Sequence, residues 1–259
     1  MKIRQLHFKA AKCLLTSWGL SRSEASTCAN WILKNSERDE VKDRLIRRGR
    51  DKEPLAYILG DTDFSGMKNF IVRKPVLIPR PETENLIELI LQHTTTPPRV
   101  FLDLCCGSGA ICIALLRAWP YATAVAVDCS DAAVALTREN AEKFKVSDRL
   151  RVILSTIEDY KVNYEKIDLV VSNPPYIPSC RIPELQPEIL LWEDCLALDG
   201  GADGMDITRQ ILDKFNNVGE IWLEMDSQSK QAEKLAHSNC SSYPDWYGKE
   251  GRFIRCLNG

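Results

Sequence analysis

No stretch of this chain approaches the roughly 18 consecutive apolar residues of a membrane-spanning helix. Its start, Met1-Lys2-Ile3-Arg4-Gln5-Leu6-His7, lacks the apolar core of a secretory signal, so a cytoplasmic protein is expected. Histidine is scarce, with only His7, His93 and His237, and no two cysteines have the C-x-x-C spacing, which argues against a zinc site; no metal is expected. The ten cysteines are scattered, mostly within apolar patterns where a free thiol behaves as a small hydrophobe, and a reduced protein is expected. Charge imbalance is missing too. With 34 Lys+Arg against 36 Asp+Glu the net charge is −2, which disfavours a broad non-specific nucleic-acid surface. A Walker loop with its G-K-[ST] is absent, as is the G-x-G-x-x-G of dinucleotide dehydrogenases.

What is present suits a soluble globular chain: 44% apolar and 27% charged residues. Residues 1–52 read as three short helices. Ser21-Arg22-Ser23-Glu24 has capping-box spacing, and Ala25, Cys28, Ala29, Ile32 and Leu33 then line one helical face. The helix from Glu37 to Arg50 carries Arg44, Arg47, Arg48 and Arg50, a solvated face or a partner-docking surface. Residues 53–78 form a connector, with a hairpin expected at Phe64-Ser65-Gly66 and Phe70-Ile71-Val72. Pro81 then suits a helix start, and Glu82 and Glu84 fit its electropositive end.

From Arg99 onward strands and helices alternate, the mark of a doubly wound α/β sheet. Strands are expected at Val100–Leu104, Ala124–Asp128, Arg151–Leu154, Ile167–Ser172 and Glu220–Glu224. A closing antiparallel pair is expected from Trp246-Tyr247 and Phe253–Cys256, after a last helix from Lys230 to His237.

Two loops carry chemistry. Cys105-Cys106-Gly107-Ser108-Gly109 follows the first strand of the alternation, where glycines let backbone approach a ligand at a helix N-terminus. Asp128 ends the next strand, where an acid can take two ribose hydroxyls. Together they point to an adenosine-type cofactor. The second loop is Asn173-Pro174-Pro175-Tyr176. Two prolines cannot continue a strand, so the chain stops in a stiff loop at the sheet's C-terminal edge, where α/β sheets bind ligands. The Asn173 side-chain carbonyl and a proline carbonyl are two acceptors able to grip a planar NH2 group, with Tyr176 as a flat wall.

The Gly-x-Gly turn preceded by Asp103 resembles the first motif of S-adenosylmethionine-dependent methyltransferases. Paired with Asn-Pro-Pro-Tyr, it resembles the enzymes of that class that act on planar NH2 groups. Glu53–Gly60, the Phe64-x-Gly66 hairpin, Leu77–Glu84, Leu198–Gly204 and the strand ending in Leu223-Glu224 narrow the resemblance to the release-factor glutamine methyltransferase family. That resemblance implies a Rossmann-like class I methyltransferase domain over residues 79–259, with a mostly parallel seven-stranded sheet. Residues 1–52 become a small helical substrate-docking domain and 53–78 a β-hairpin connector. It implies methylation of the side-chain amide nitrogen (N5) of the glutamine in the Gly-Gly-Gln motif of class I peptide chain release factors. The cofactor implied is S-adenosylmethionine, held by Cys105, Cys106, Gly107, Ser108, Gly109, Asp128, Ile157 and Asn173. Asn173, Pro174, Pro175 and Tyr176 form the catalytic loop, and Arg80, Pro81 and Glu82 join them in facing the substrate. A monomer with no direct nucleic-acid contact and no membrane association is expected.

Four departures from the family pattern stand out. Cys105 takes the place of a usual glycine and Thr156 that of a common acid. Glu193-Asp194 replaces Glu-Pro, and Met225-Asp226 follows Glu224 where glycine is common. Two rivals share these features: a nucleic-acid amino-methyltransferase, and a non-catalytic module that docks on release factors or ribosomes.

Overall fold

The computed structural model describes residues 2–161, 167–226, 228–236 and 239–258; the expected end of the last helix at His237 lies outside them. Three helices come first: α1 (Lys2–Ser17), α2 (Arg22–Lys34) and α3 (Glu40–Gly49). The Ser21 hydroxyl accepts from the Glu24 amide while the Glu24 carboxylate accepts from the Ser21 amide, a complete capping box. Leu15, Ala25, Ala29, Ile32 and Leu45 close a small core of their own. A short helix α4 (Leu55–Leu59) follows, ending at Gly60 in the left-handed conformation. The antiparallel hairpin β1 (Asp61–Phe64) and β2 (Met67–Ile71) comes next.

The rest is one seven-stranded sheet flanked by helices. In chain order it runs α5 (Pro81–His93), β3 (Val100–Leu104), α6 (Ala110–Ala118), β4 (Thr123–Asp128), α7 (Asp131–Lys143), β5 (Leu150–Leu154), β6 (Leu169–Ser172), α8 (Pro187–Trp192), α9 (Asp206–Lys214), β7 (Glu220–Glu224), α10 (Ser229–Leu235), β8 (Asn239–Tyr243) and β9 (Phe253–Leu257). The strand order is β5-β4-β3-β6-β7-β9-β8. The first five strands are parallel and β9 joins β7 and β8 antiparallel.

Alternation along each strand divides the core in two. Phe101, Val171 and Trp222 pack with α5, α6 and the hairpin residues Phe64, Met67 and Phe70. Leu102, Leu104, Val170, Ile221 and Leu223 pack with Ile211, Leu212 and Phe215 on the other face. Glu224 therefore points to the same face as Trp222, toward α5.

Two expectations are corrected. The closing strand pairs with Asn239–Tyr243, not with Trp246-Tyr247: there the chain turns, with Asp245 Oδ1 accepting from the Tyr247 and Lys249 amides. Cys240 and Cys256 are directly opposite in the β8–β9 register and form a disulfide, so the expectation of a wholly reduced chain fails at this pair. The other eight cysteines are free. No helix among the described residues is long and apolar enough to cross a membrane.

Candidate active site

β3 and β6 are neighbours, yet the connection from β3 leads to β4 on one side while β6 leads to β7 on the other. This is the topological switch point of the sheet, where loops part and leave a crevice. Leu104 and Ser172 are in register there, and the Ser172 hydroxyl donates to the Leu104 carbonyl at 2.6 Å. Both chemical loops therefore start side by side, Cys105–Gly109 from β3 and Asn173–Tyr176 from β6.

Within the first loop Cys105, Gly107 and Gly109 all have positive φ, at 57°, 55° and 80°. The two glycines have different tasks. A β-carbon on Gly109 would meet Thr137 Cγ2 at 2.8 Å, so Gly109 lets α6 pack on α7. A β-carbon on Gly107 would meet nothing within 4 Å, so its backbone faces open space where a ligand can approach. Cys105 stands at a left-handed position that glycine fills at no steric cost. Cys106 and Ser108 are buried, and serve the loop's packing.

Two α7 side chains that sequence reasoning missed hold the loop from behind. The Thr137 hydroxyl donates to the Gly107 carbonyl at 2.9 Å, and Asn140 Nδ2 donates to the Ser108 carbonyl at 3.0 Å. Asn140 also exchanges hydrogen bonds with the Ile71 backbone, which fastens the hairpin to the same loop.

Asp128 ends β4 beneath this loop. One carboxylate oxygen accepts from the Gly107 amide at 2.8 Å and the other from the Ser130 amide at 2.9 Å. A carboxylate has about four acceptor positions, so capacity remains for a further donor such as a hydroxyl. Burial raises the Asp128 carboxyl above its usual range, against these backbone donors. Ile157 is buried just beyond β5, and Thr156 caps the turn to Asp159. An acid at the β4 end and open backbone at Gly107 fit an adenosine cofactor. Asp103 lies lower in β3: its Oδ2 accepts from the Cys112 amide at 3.0 Å, while Oδ1 has no partner among the described residues. Full burial pushes its carboxyl up to about 7.

In the second loop Pro174 and Pro175 are buried while Asn173 and Tyr176 are partly exposed. The glycine-rich run after it presses on its back. A β-carbon on Gly200 would lie 2.7 Å from the Pro175 carbonyl oxygen, and one on Gly204 would clash with the Tyr176 carbonyl. Gln228 Nε2 donates to that Tyr176 carbonyl at 3.0 Å. A cavity of about 130 Å³ opens in front, lined by Leu77, Arg80, Asn173, Tyr176, Ile189 and Leu198 among others. That is well below the roughly 300–1,000 Å³ of pockets for drug-sized ligands, and it suits a single side chain. Arg80 closes one wall, its Nη2 donating to both oxygens of the buried Glu193 at 2.6 and 2.7 Å. Pro81 and Glu82 form the first turn of α5 and do not line this cavity.

Behind the cavity runs a polar chain that the sequence did not reveal. Asn173 Nδ2 donates to Thr83 Oγ1 at 3.1 Å, and the Thr83 hydroxyl donates to Glu224 Oε2 at 2.8 Å. Arg252 Nη2 donates to Glu224 Oε1 and to the Tyr176 hydroxyl, both at 2.9 Å. The Arg252 guanidinium also sits 5.2 Å from the Tyr176 ring centroid, within cation–π range. Glu224 is fully buried, which pushes its carboxyl up to about 7 despite Arg252. Burial likewise raises the Tyr176 phenol, which stays protonated at neutral pH. Among the described residues no cluster of three or more His, Cys, Asp and Glu is placed to hold a metal.

The chain is similar to known proteins in both sequence and fold. A family model described as "Methyltransferase small domain" matches residues 82–182, which span both loops. A methyltransferase structure from Pyrococcus furiosus superposes with a TM-score of 0.53 at 13% identity, over 74% of this chain and 89% of that one, a likeness of fold. Among curated proteins, the human "MTRF1L release factor glutamine methyltransferase" is 38% identical over 219 residues, 78% of this chain and 64% of that protein. The "Release factor glutamine methyltransferase" of Thermosynechococcus vestitus is 41% identical, over 76% of this chain and 69% of that protein. That of Clostridium botulinum is 34% identical, over 79% and 74%. The chain thus spans about two thirds to three quarters of the length of these relatives. With 41% identity to a relative covered to 69% and 34% to one covered to 74%, the chain belongs to the release factor glutamine methyltransferase family.

Proposed function

We propose that the protein moves a methyl group from S-adenosylmethionine to the side-chain amide nitrogen of the glutamine in the Gly-Gly-Gln motif of class I peptide chain release factors. The observation that carries this reading is the side-chain-sized cavity edged by Asn173 and Tyr176, one strand away from the open backbone of Gly107. The relatives' names belong to proteins that this chain covers only in part, so substrate and partner are read from family and site together.

An amide nitrogen is a weak nucleophile, because its lone pair is delocalised into the carbonyl. The cofactor, when bound, supplies an already activated sulfonium methyl. What remains for the chain is placement, and holding reacting atoms at about 3–3.5 Å can contribute several kcal/mol. Gly107, Gly109 and Asp128 would hold the cofactor, with Cys105, Cys106, Ser108 and Ile157 shaping its bed. Asn173 Oδ1 and the Pro174 carbonyl would accept the two N–H bonds of the substrate amide, an arrangement that favours positive charge developing on nitrogen. Pro175 fixes the loop and Tyr176 gives the planar amide a flat wall. Arg80 would shape the cavity mouth, while Pro81 and Glu82, expected to face the substrate, start the helix behind it. In this reading residues 1–52 dock the release factor, 53–78 connect, and 79–259 carry the transfer.

The test is transfer of labelled methyl to a purified class I release factor, beside the same factor with its Gly-Gly-Gln glutamine changed to alanine. Label on the unmodified factor alone establishes reaction and target. Label on neither, with cofactor binding intact, redirects the search to nucleic-acid amino groups, and absence of cofactor binding favours a docking module.

A further inference from the structure

Resting on that reading, we propose that Glu224 is the positioning residue of the amide site: acting through Thr83 it sets which end of the Asn173 amide faces the substrate, and through Arg252 it fixes Tyr176. One buried carboxylate thus governs both edges of the Asn-Pro-Pro-Tyr loop.

The argument is one of proton counting. The oxygen and nitrogen of an asparagine amide have nearly the same shape, so packing alone does not decide how it is turned. The Thr83 hydroxyl has a single proton. When Glu224 is ionised, Arg252 donates to its Oε1, and Oε2 is left as an acceptor for that proton. With its proton committed, the Thr83 oxygen can only accept, and it accepts from Asn173 Nδ2. Asn173 Oδ1 is left for the cavity that Asn173 lines, where it meets the substrate NH2 as acceptor to donor.

A proton on Glu224 reverses the chain. The carboxyl then donates to Thr83, Thr83 donates to Asn173 Oδ1, and the Asn173 NH2 faces the substrate NH2, donor against donor. The groups around Glu224 keep this balance close to neutral pH. Burial and Glu82 of α5 raise its carboxyl to about 7, while Arg252 and the Thr83 hydroxyl oppose them. Asp226, 3.6 Å from Arg252 Nη1, and the Tyr176 hydroxyl share the same guanidinium.

The experiment compares wild type, Thr83→Val, Thr83→Ser and Glu224→Gln for kcat, KM, cofactor Kd and pH profile with a release factor as acceptor. Wild-type kcat should rise with pH through about 7, as Glu224 ionises. Thr83→Val should lower kcat roughly tenfold to a hundredfold and lose that rising limb, with cofactor Kd unchanged. Thr83→Ser keeps the hydroxyl and should recover both rate and limb. In Glu224→Gln, Arg252 selects the new carbonyl, so the new NH2 faces Thr83 and kcat should be low at every pH. If Glu224→Gln fails to fold, the Thr83 pair still decides. Wild-type kcat and an unchanged limb in Thr83→Val overturn the proposal. A wild type that transfers nothing to release factors sinks the proposed function instead. A neutron structure of the wild type above about pH 7, where amide oxygen and nitrogen are distinguished, then decides the inference without substrate: Asn173 Nδ2 directed at Thr83 with Oδ1 toward the cavity supports it, and the NH2 directed into the cavity overturns it.

Discussion

Gly200 packs directly against the carbonyl of Pro175, so close that a β-carbon would lie 2.7 Å from that oxygen. The Pro-Pro loop is stiff along its own chain, but its height above the sheet is set by this contact. Gly200→Ala should displace Pro175 and with it the Asn173–Tyr176 pocket. Crowding of this kind costs about 1–3 kcal/mol of stability. Since sub-ångström placement governs the transfer, kcat should fall about tenfold or more. Cofactor affinity, read by calorimetry, should not change, because the first loop is untouched. Equal losses of kcat and cofactor affinity would count against this division of labour.

Cys105 holds a left-handed backbone with φ of 57°, a conformation that costs a non-glycine residue about 1–3 kcal/mol. Replacing it with glycine removes that strain and adds about 0.5–1 kcal/mol of unfolded-chain entropy. The strain wins, so Cys105→Gly should raise stability by about 1 kcal/mol. Cys105→Val, β-branched at the same φ, should lower it. Chemical denaturation of the three proteins checks the ranking, and a Cys105→Gly protein less stable than wild type would refute it.

The contrast between these loops and the chain behind them shows what a sequence carries. Val100–Leu104 and Leu169–Ser172 are apolar strands bounded by a glycine turn and a proline pair, so local pattern alone sets both loops at strand ends. Asn239–Tyr243 has no such pattern. It is an edge strand of Asn, Cys, Ser, Ser and Tyr, held by its register with β9, and the aromatic pair at Trp246-Tyr247 was the stronger local signal for strand. Thr83 and Arg252 stayed hidden for a different reason. Glu224 meets Thr83 across 141 residues and Arg252 across 28, and a contact between elements leaves no periodicity within either. The signal that was available for Thr83 was its place in the Leu77–Glu84 motif, on the inward side of the first turn of α5.

Asp103 gives a pH signature in stability rather than in rate. Its carboxyl is raised from 3.8 to about 7 by burial, with the Cys112 thiol and amide opposing this and the Asp128 charge adding to it. A raised folded value means that the native state binds the proton more tightly than the unfolded chain. The stability from this group is therefore fully present below about pH 4 and lost as pH rises through about 7. Asp103→Asn does not titrate. The stability of wild type relative to Asp103→Asn should thus fall by up to about 4 kcal/mol between those limits. Urea unfolding of both proteins across that range measures the difference, and a constant offset would show that Asp103 is ionised throughout.

Asn173→Asp separates an acceptor that merely receives a hydrogen bond from one held in a chain. As a lone acceptor, aspartate should serve as well as asparagine. In the chain, the introduced carboxylate and Glu224 would both be acceptors competing for the single Thr83 proton, with no NH2 left to donate. One added proton completes the chain again: a protonated Glu224 donates to Thr83, and Thr83 donates to the introduced carboxylate. The variant should therefore work best below about pH 7, where that proton is taken up, and fall to about a hundredth of wild-type kcat above it. Wild type runs the other way, gaining activity as Glu224 loses its proton. Two kcat–pH profiles that slope in opposite directions across neutral pH are the expected result. Profiles that rise together would mean that Thr83 does not link the two side chains during transfer.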